Sequence, residues 1–228
     1  MTRAFHPSPL ERLTLDPATK PPQAAVIWLH GLGADGHDFA PLFRSAEQRL
    51  AEVKVLLPHA PERPVTVNGG MPMRAWYDIR SPELSSAPDL EGIRESAAAI
   101  GPLVDELEAE GIAPARIVLG GFSQGAVLAL WTGLGLPRPL AGIAALSGYL
   151  PDDPPLDEAQ RETPIFMGHG RSDGVVPFSQ GEAARDRLAG LGCREPEWHP
   201  YPMDHGVSTD EAGDLLMWLG KVLQGKEG

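Results

Sequence analysis

The sequence predicts an α/β fold, a doubly wound and mostly parallel sheet with helices on both faces, in one domain over residues 1–228. Three observations carry this. Short apolar runs alternate with longer amphipathic segments, the order that right-handed strand–helix–strand crossovers produce. The runs are apolar almost without interruption, which marks strands covered on both faces. No repeat, low-complexity tract or linker divides the 228 residues, a length that one core of this class accommodates.

The strands are expected at 24–30 (AAVIWLH), 53–57 (VKVLL), 116–120 (RIVLG), 142–147 (GIAALS), 164–168 (PIFMG) and 197–201 (EWHPY). Pro200 places the last at a sheet edge or makes it a strand end, because proline cannot donate to the ladder. A helix is expected over 90–110, where Ile93, Ala97, Ile100, Val104 and Leu107 recur at helical spacing before Gly111. Others are expected to begin near Gly36 and to cover 124–134, 181–191 and 209–223. Residues 59–88 are rich in Pro and Gly, lack a clear period and exceed most connections in length. Such a segment either shapes a binding site or is a packed surface excursion.

Composition excludes several classes of function. Hydrophobic residues are 42% of the chain, ordinary for a globular protein and too many for a disordered one. A net charge of −12 repels phosphate backbones, so nucleic acid and anionic membranes are poor partners. The N-terminus has no apolar run behind its positive charge, and no stretch is long enough to span a bilayer. Cys193 is the sole cysteine and forms no intramolecular disulfide, which fits a reducing compartment. The expectation is a soluble cytoplasmic protein.

In doubly wound sheets, ligands bind beyond the carboxyl ends of the strands. Gly121-Phe122-Ser123-Gln124-Gly125 lies there, a G-x-S-x-G pattern directly after the strand RIVLG and directly before an apolar helix. A serine at such an elbow is strained, and the close passage of strand and helix leaves no room for side chains at the flanking positions. The competing reading is a Gly-rich turn in which Ser123 caps the helix. The strand–turn–helix context favours a nucleophile, and with it the α/β-hydrolase fold.

A serine hydroxyl needs a base and the base an orienting carboxylate, in the chain order Ser, acid, His. Asp173, in HGRSDGVVP, follows the strand PIFMG and is the expected acid; a turn-capping role is the alternative. Asp152 and Asp153 are less well placed, among prolines. His205, in YPMDHGVS between the last strand and the last helix, is the expected base. His199 falls inside a strand, and His6, His30, His37, His59 and His169 all precede Asp173. Acyl transfer also needs two N–H donors for the developing oxyanion. Gln124, the residue after the nucleophile, offers one; Leu32 in the HGLG loop at 30–33 offers the other. A phosphate-cradling loop is the weaker reading of HGLG, which lacks the P-loop lysine.

Together these residues resemble the phospholipase/carboxylesterase family, which includes bacterial carboxylesterases and acyl-protein thioesterases. The resemblance covers nearly the whole chain and is carried by HGLGADGHDF (30–39), NGGMPMRAWYDI (68–79), GFSQGA (121–126), HGRSDGVVP (169–177) and YPMDHGVS (201–208). It implies a compact α/β-hydrolase fold without a large lid domain. It matches Ser123, Asp173 and His205 to the family triad, and Leu32 and Gln124 to its oxyanion positions. Trp76 and Val176 fall where the family lines its acyl pocket, although Trp76 is equally readable as a core aromatic. RAWYD in its NGG context looks more like the bacterial carboxylesterases. The family uses no metal or organic cofactor and often forms homodimers. The expected function is therefore a serine carboxylesterase for short to medium acyl chains on small-molecule or lipid-like esters. The alternatives are an acyl-protein thioesterase or lysophospholipase with the same machinery, and more remotely a non-catalytic binding protein.

Overall fold

The computed structural model of the chain describes residues 10–81 and 88–224. Its elements run β1 (Arg12–Leu15), β2 (Ala24–Leu29), α1 (Ala40–Ser45), β3 (Val53–Pro58), β4 (Glu62–Val65), β5 (Met71–Arg74), α2 (Leu90–Ala109), β6 (Ile117–Phe122), α3 (Gln124–Leu134), β7 (Gly142–Leu146), β8 (Ile165–Gly170), α4 (Phe178–Gly190), β9 (Glu197–Tyr201) and α5 (Thr209–Leu223). Seven strands form one sheet in the order β1-β3-β2-β6-β7-β8-β9. Only β1 is antiparallel to its neighbour. This is the α/β-hydrolase arrangement the sequence predicts, and Pro200 does lie on an edge strand, β9.

Side chains alternate across the sheet with period two, so every central strand feeds two hydrophobic clusters. In β2, Ala25, Ile27 and Leu29 join one cluster with α2, α3 and α4, while Ala24, Val26 and Trp28 join another with α1 and α5. β6 divides in the same way, Ile117 and Leu119 against Val118, as does β7, Ile143 and Ala145 against Ala144 and Leu146. Burial on both faces is the physical source of the uninterrupted apolar runs.

Helix limits follow local chemistry. Asp89 caps α2 by accepting from Gly92 N–H. The helix ends where Gly111 takes φ +94°; Gly111 N–H donates to Glu108 O and Ile112 N–H to Leu107 O, a Schellman closure. Ser208 caps α5 by accepting from Glu211 N–H. Two expected starts shift. The helix placed near Gly36 begins at Ala40, where Pro41 occupies the first turn without needing an N–H partner, and the one placed at Gly181 begins at Phe178, after Pro177.

Two features escaped the sequence pattern. β1 is a four-residue edge strand, too short to show a period. The segment 59–88 contains the two-stranded ribbon β4–β5, in which Pro64 faces Pro72. Paired prolines hid a hairpin that tolerates them because neither side of the ribbon joins the main sheet. No helix among the described residues is long and apolar enough to cross a membrane.

Glu211, in the first turn of α5, is fully buried, and neither carboxyl oxygen has a hydrogen-bond partner among the described residues. Burial raises its pKa from the usual 4.5 to about 8. As pH rises from about 4.5 to about 8, the unfolded chain releases this proton while the folded chain keeps it. Folding stability therefore falls across that window and levels off above it. Glu211→Gln should lose this slope; urea midpoints measured across the window that decline equally in both proteins would refute the assignment. A second expectation concerns packing. A Cβ at Gly125 would lie 2.1 Å from Leu29 O, whereas one at Gly101, inside α2, meets nothing within 4 Å. Gly125→Ala should cost about 1–3 kcal/mol or more in chemical denaturation, and Gly101→Ala should add about 0.5–1 kcal/mol.

Candidate active site

Ser123 stands between β6 and α3 with φ 56° and ψ −118°, a region that costs a non-glycine residue about 1–3 kcal/mol. Its surroundings enforce that conformation. Ser123 N–H donates to Leu146 O of β7 at 2.8 Å. A Cβ at Gly121 would lie 2.4 Å from the Gly125 carbonyl carbon, and one at Gly125 would strike Leu29 of β2. The two flanking glycines thus let helix, strand and neighbouring strand backbones touch, and the hydroxyl is held out at the carboxyl rim of the sheet.

His205 lies in the loop between β9 and α5. Its Nε2 is 3.0 Å from Ser123 Oγ and its Nδ1 is 2.7 Å from Asp173 Oδ2. The carboxylate at Nδ1 assigns the ring proton there, leaving the Nε2 lone pair to accept from the Ser123 hydroxyl. Asp173 follows β8 in a turn whose Val175 and Val176 N–H groups both donate to its Oδ1, at 2.9 and 2.8 Å. The Asp173 side chain is fully buried, and both of its oxygens accept hydrogen bonds. The three residues that chain order singled out are therefore joined into one hydrogen-bonded series, although 82 positions separate the first and last.

Chain order excludes His169 as the base, and the structure gives it a different place. It is buried, Nε2 donates to Val176 O at 2.9 Å, and the same nitrogen is 3.5 Å from Asp173 Oδ2. Burial lowers its pKa, so the ring is a neutral strut for the turn that holds Asp173. Its spacing of four residues before Asp173, in HGRSD, was the available signal. The rivals are occupied elsewhere: His199 of β9 stacks on Phe166 of β8, and Asp152 pairs with Arg187.

The HGLG loop packs against the elbow, since a Cβ at Gly31 would come within 3.5 Å of Ser123 Cβ. The Leu32 N–H has no hydrogen-bond partner among the described residues. The Gln124 N–H opens α3 and so lacks an intrahelical acceptor. Leu32, Ser123, Gln124 and His205 all border a cleft of about 1040 Å³. Its walls are mainly apolar and come from both sides of the sheet: Phe39, Leu42 and Val207 on one, Tyr77, Ile79 and Val176 on the other. Val67, Tyr77 and Ile79 belong to the segment 59–88, which thus helps to form the cleft; residues 82–87 of that segment lie outside the described ones.

Val176 borders the cleft as expected from the resemblance, but the expectation for Trp76 is corrected. Trp76 is fully buried and is not part of the cleft wall. Its indole N–H donates to His30 O at 2.9 Å, its own N–H donates to Gln124 Oε1 at 3.1 Å, and Ser96 Oγ donates to its carbonyl. Gln124 Nε2 completes the clamp by donating to Tyr77 O at 2.8 Å. These bonds turn Trp76 beneath the HGLG loop and present Tyr77 to the cleft instead.

The family model described as Phospholipase/Carboxylesterase matches residues 11–223. The chain is 40% identical over 212 residues to an acyl-protein thioesterase 1 of Yarrowia lipolytica, covering 89% of this chain and 93% of that one. Among solved structures it is similar to SOBER1 of Arabidopsis thaliana, with a TM-score of 0.82, 32% identity, and coverage of 88% and 99% of the two chains. It is likewise similar to Zea mays acyl-protein thioesterase 2, with a TM-score of 0.81 and 29% identity, covering 93% and 99%. With a hydrogen-bonded Ser123–His205–Asp173 series at the rim of its sheet and a family match over nearly all of its length, this chain belongs to the phospholipase/carboxylesterase family of ester hydrolases.

Proposed function

We propose that this protein hydrolyses acyl thioesters, and oxygen esters with the same machinery, through an acyl-enzyme formed on Ser123. The observation that carries the reading is the series Asp173 Oδ2, His205 Nδ1 at 2.7 Å, His205 Nε2 and Ser123 Oγ at 3.0 Å, opening onto an apolar cleft. His205 takes the hydroxyl proton as Ser123 Oγ attacks the acyl carbon, and Asp173 stabilises the imidazolium so formed. The Leu32 and Gln124 N–H groups receive the negative charge that develops on the acyl oxygen; each such donor is worth about 3 kcal/mol in a water-excluded site. Collapse expels the thiol or alcohol, to which His205 returns the proton. Water, deprotonated by the same ring, then releases the acid. Tyr77 and Val176 serve as part of the wall for the acyl chain, and the mainly apolar lining suits a hydrocarbon there.

The thioester is placed first because a relative 40% identical over most of both chains bears the name acyl-protein thioesterase. The oxygen ester remains the second reading, since attack, oxyanion and acyl-enzyme are common to both. A thiol has a pKa of about 8.5 and departs as thiolate more readily than an alcohol, so dependence on His205 as acid is smaller for thioesters.

Ser123→Ala should lower kcat about 10⁵- to 10⁶-fold and abolish labelling by a fluorophosphonate probe, with the urea midpoint unchanged. A wild-type protein that takes no label on Ser123 would favour a binding protein on this fold. For matched acyl groups, kcat/KM should be higher for the thioester than for the oxygen ester or the lysophospholipid; the reverse order would return the carboxylesterase or lysophospholipase reading to first place.

A further inference from the structure

His30 and His59, too early in the chain for the general base, sit at opposite ends of a reciprocal clamp on the HGLG loop. Ala60 N–H donates to His30 Nε2 at 3.0 Å, and Gly36 N–H donates to His59 Nδ1 at 3.0 Å. Each bond joins the stretch 30–36, which follows β2, to the stretch 59–60, which follows β3, and the two run in opposite directions. An imidazole nitrogen accepts only when it carries no proton. The bonds therefore assign one neutral tautomer to each ring. His30 has its proton on Nδ1, where it donates to Gly31 O at 2.7 Å, and His59 has its proton on Nε2. Burial lowers the pKa of both rings, consistent with two neutral acceptors.

The clamp encloses the candidate oxyanion donor. Leu32 lies between the two anchored ends, and Gly33 N–H, the next donor along, is tied to Arg74 O at 2.8 Å. Asp35, His37 and His59 also have ligand atoms within 4.8 Å of one another, the spacing of a cation site. The Nδ1 lone pair of His59 is already committed to Gly36 and Asp35 Oδ1 to the His37 backbone and ring, so hydrogen bonding inside the loop accounts for that cluster.

We propose that His59 is a positioning residue for acyl transfer: as an unprotonated acceptor for Gly36 N–H it fixes, together with His30, the aim of the Leu32 N–H toward the reacting acyl oxygen. This rests on the oxyanion role given to Leu32 above. Loosening one end of the loop leaves substrate binding in the cleft intact, because His59 is not part of the cleft wall. It weakens an interaction made only in the transition state.

The test compares three replacements at this half-exposed position. His59→Leu removes the acceptor. His59→Asn places an amide oxygen near the former Nδ1, and His59→Gln places one near the former Nε2, away from Gly36. With an activated acyl ester, His59→Leu should lower kcat about ten- to hundredfold with little change in KM. Affinity for a trifluoromethyl ketone, whose serine adduct bears the oxyanion, should fall by the same factor. Fluorophosphonate labelling of Ser123 should still go to completion, and the Gly36 amide should lose protection from hydrogen exchange. His59→Asn should restore kcat to within about threefold, and His59→Gln should not. Wild-type kcat in a folded His59→Leu protein overturns the proposal. Should His59→Leu not fold, equal kcat values for His59→Asn and His59→Gln overturn it instead. An unlabelled, inactive wild type overturns the catalytic reading itself, whereas an active wild type indifferent to position 59 removes only this inference.

Discussion

Three backbones meet at the Ser123 elbow, and the contact leaves no space for even a methyl group. A Cβ at Gly125 would sit 2.1 Å from Leu29 O, and one at Gly121 would sit 2.4 Å from Gly125. That approach brings the start of α3 onto the end of β2, and with it the free N–H groups of a helix N-terminus onto the HGLG loop that follows β2. Because Ser123 N–H is simultaneously bound to Leu146 O, the elbow is also tied to β7. The strained φ of Ser123 persists because these neighbours over-determine it. Every other part of the site is arranged around a serine whose position the sheet has already set.

Around that point, hydrogen bonds decide what each polar group does. Asp173 is buried, yet two backbone N–H groups and one imidazole N–H converge on its oxygens, which offsets much of the cost of taking a carboxyl out of water. Glu211, buried at the start of α5, has no hydrogen-bond partner on its carboxyl oxygens among the described residues, and burial raises its pKa to about 8. The histidines divide on the same principle. His205 faces a carboxylate on one side and a hydroxyl on the other; His30 and His59 face backbone N–H groups; His169 faces a carbonyl.

The cleft adds the second half of the chemistry. Its walls join residues from both hydrophobic clusters, so the apolar surface continues from the core to the reacting hydroxyl. In such surroundings the field of an N–H donor is screened less than in water, and in the proposed mechanism this strengthens the Leu32 and Gln124 donors where charge develops. The Gln124 side chain couples the two halves. Its amide holds the backbone of Trp76 and Tyr77, which brings the long excursion after β3 against the N-terminus of α3.

The sheet and the main helices were legible in the sequence because each has a local signature, and Ser123, Asp173 and His205 because an elbow signature combines with chain order and loop position after a strand. Buried strands read as apolar runs, the elbow as two glycines around a serine, and the loops as turn residues at strand ends. The reach of the segment 59–88 was not legible, since Pro64 and Pro72 obscure a ribbon whose prolines face one another. The direction of Trp76 was also hidden: neighbouring aromatics in an irregular stretch have no period, and only the Gln124 and His30 contacts turn one inward and the other toward the cleft. The same holds for His30, His59 and His169, whose tautomers depend on partners brought close by folding. What the sequence determined by itself was the identity of groups whose neighbours lie along the chain. What only the tertiary structure decided was which lone pair or N–H each group presents, because that depends on hydrogen bonds between segments distant along the polymer.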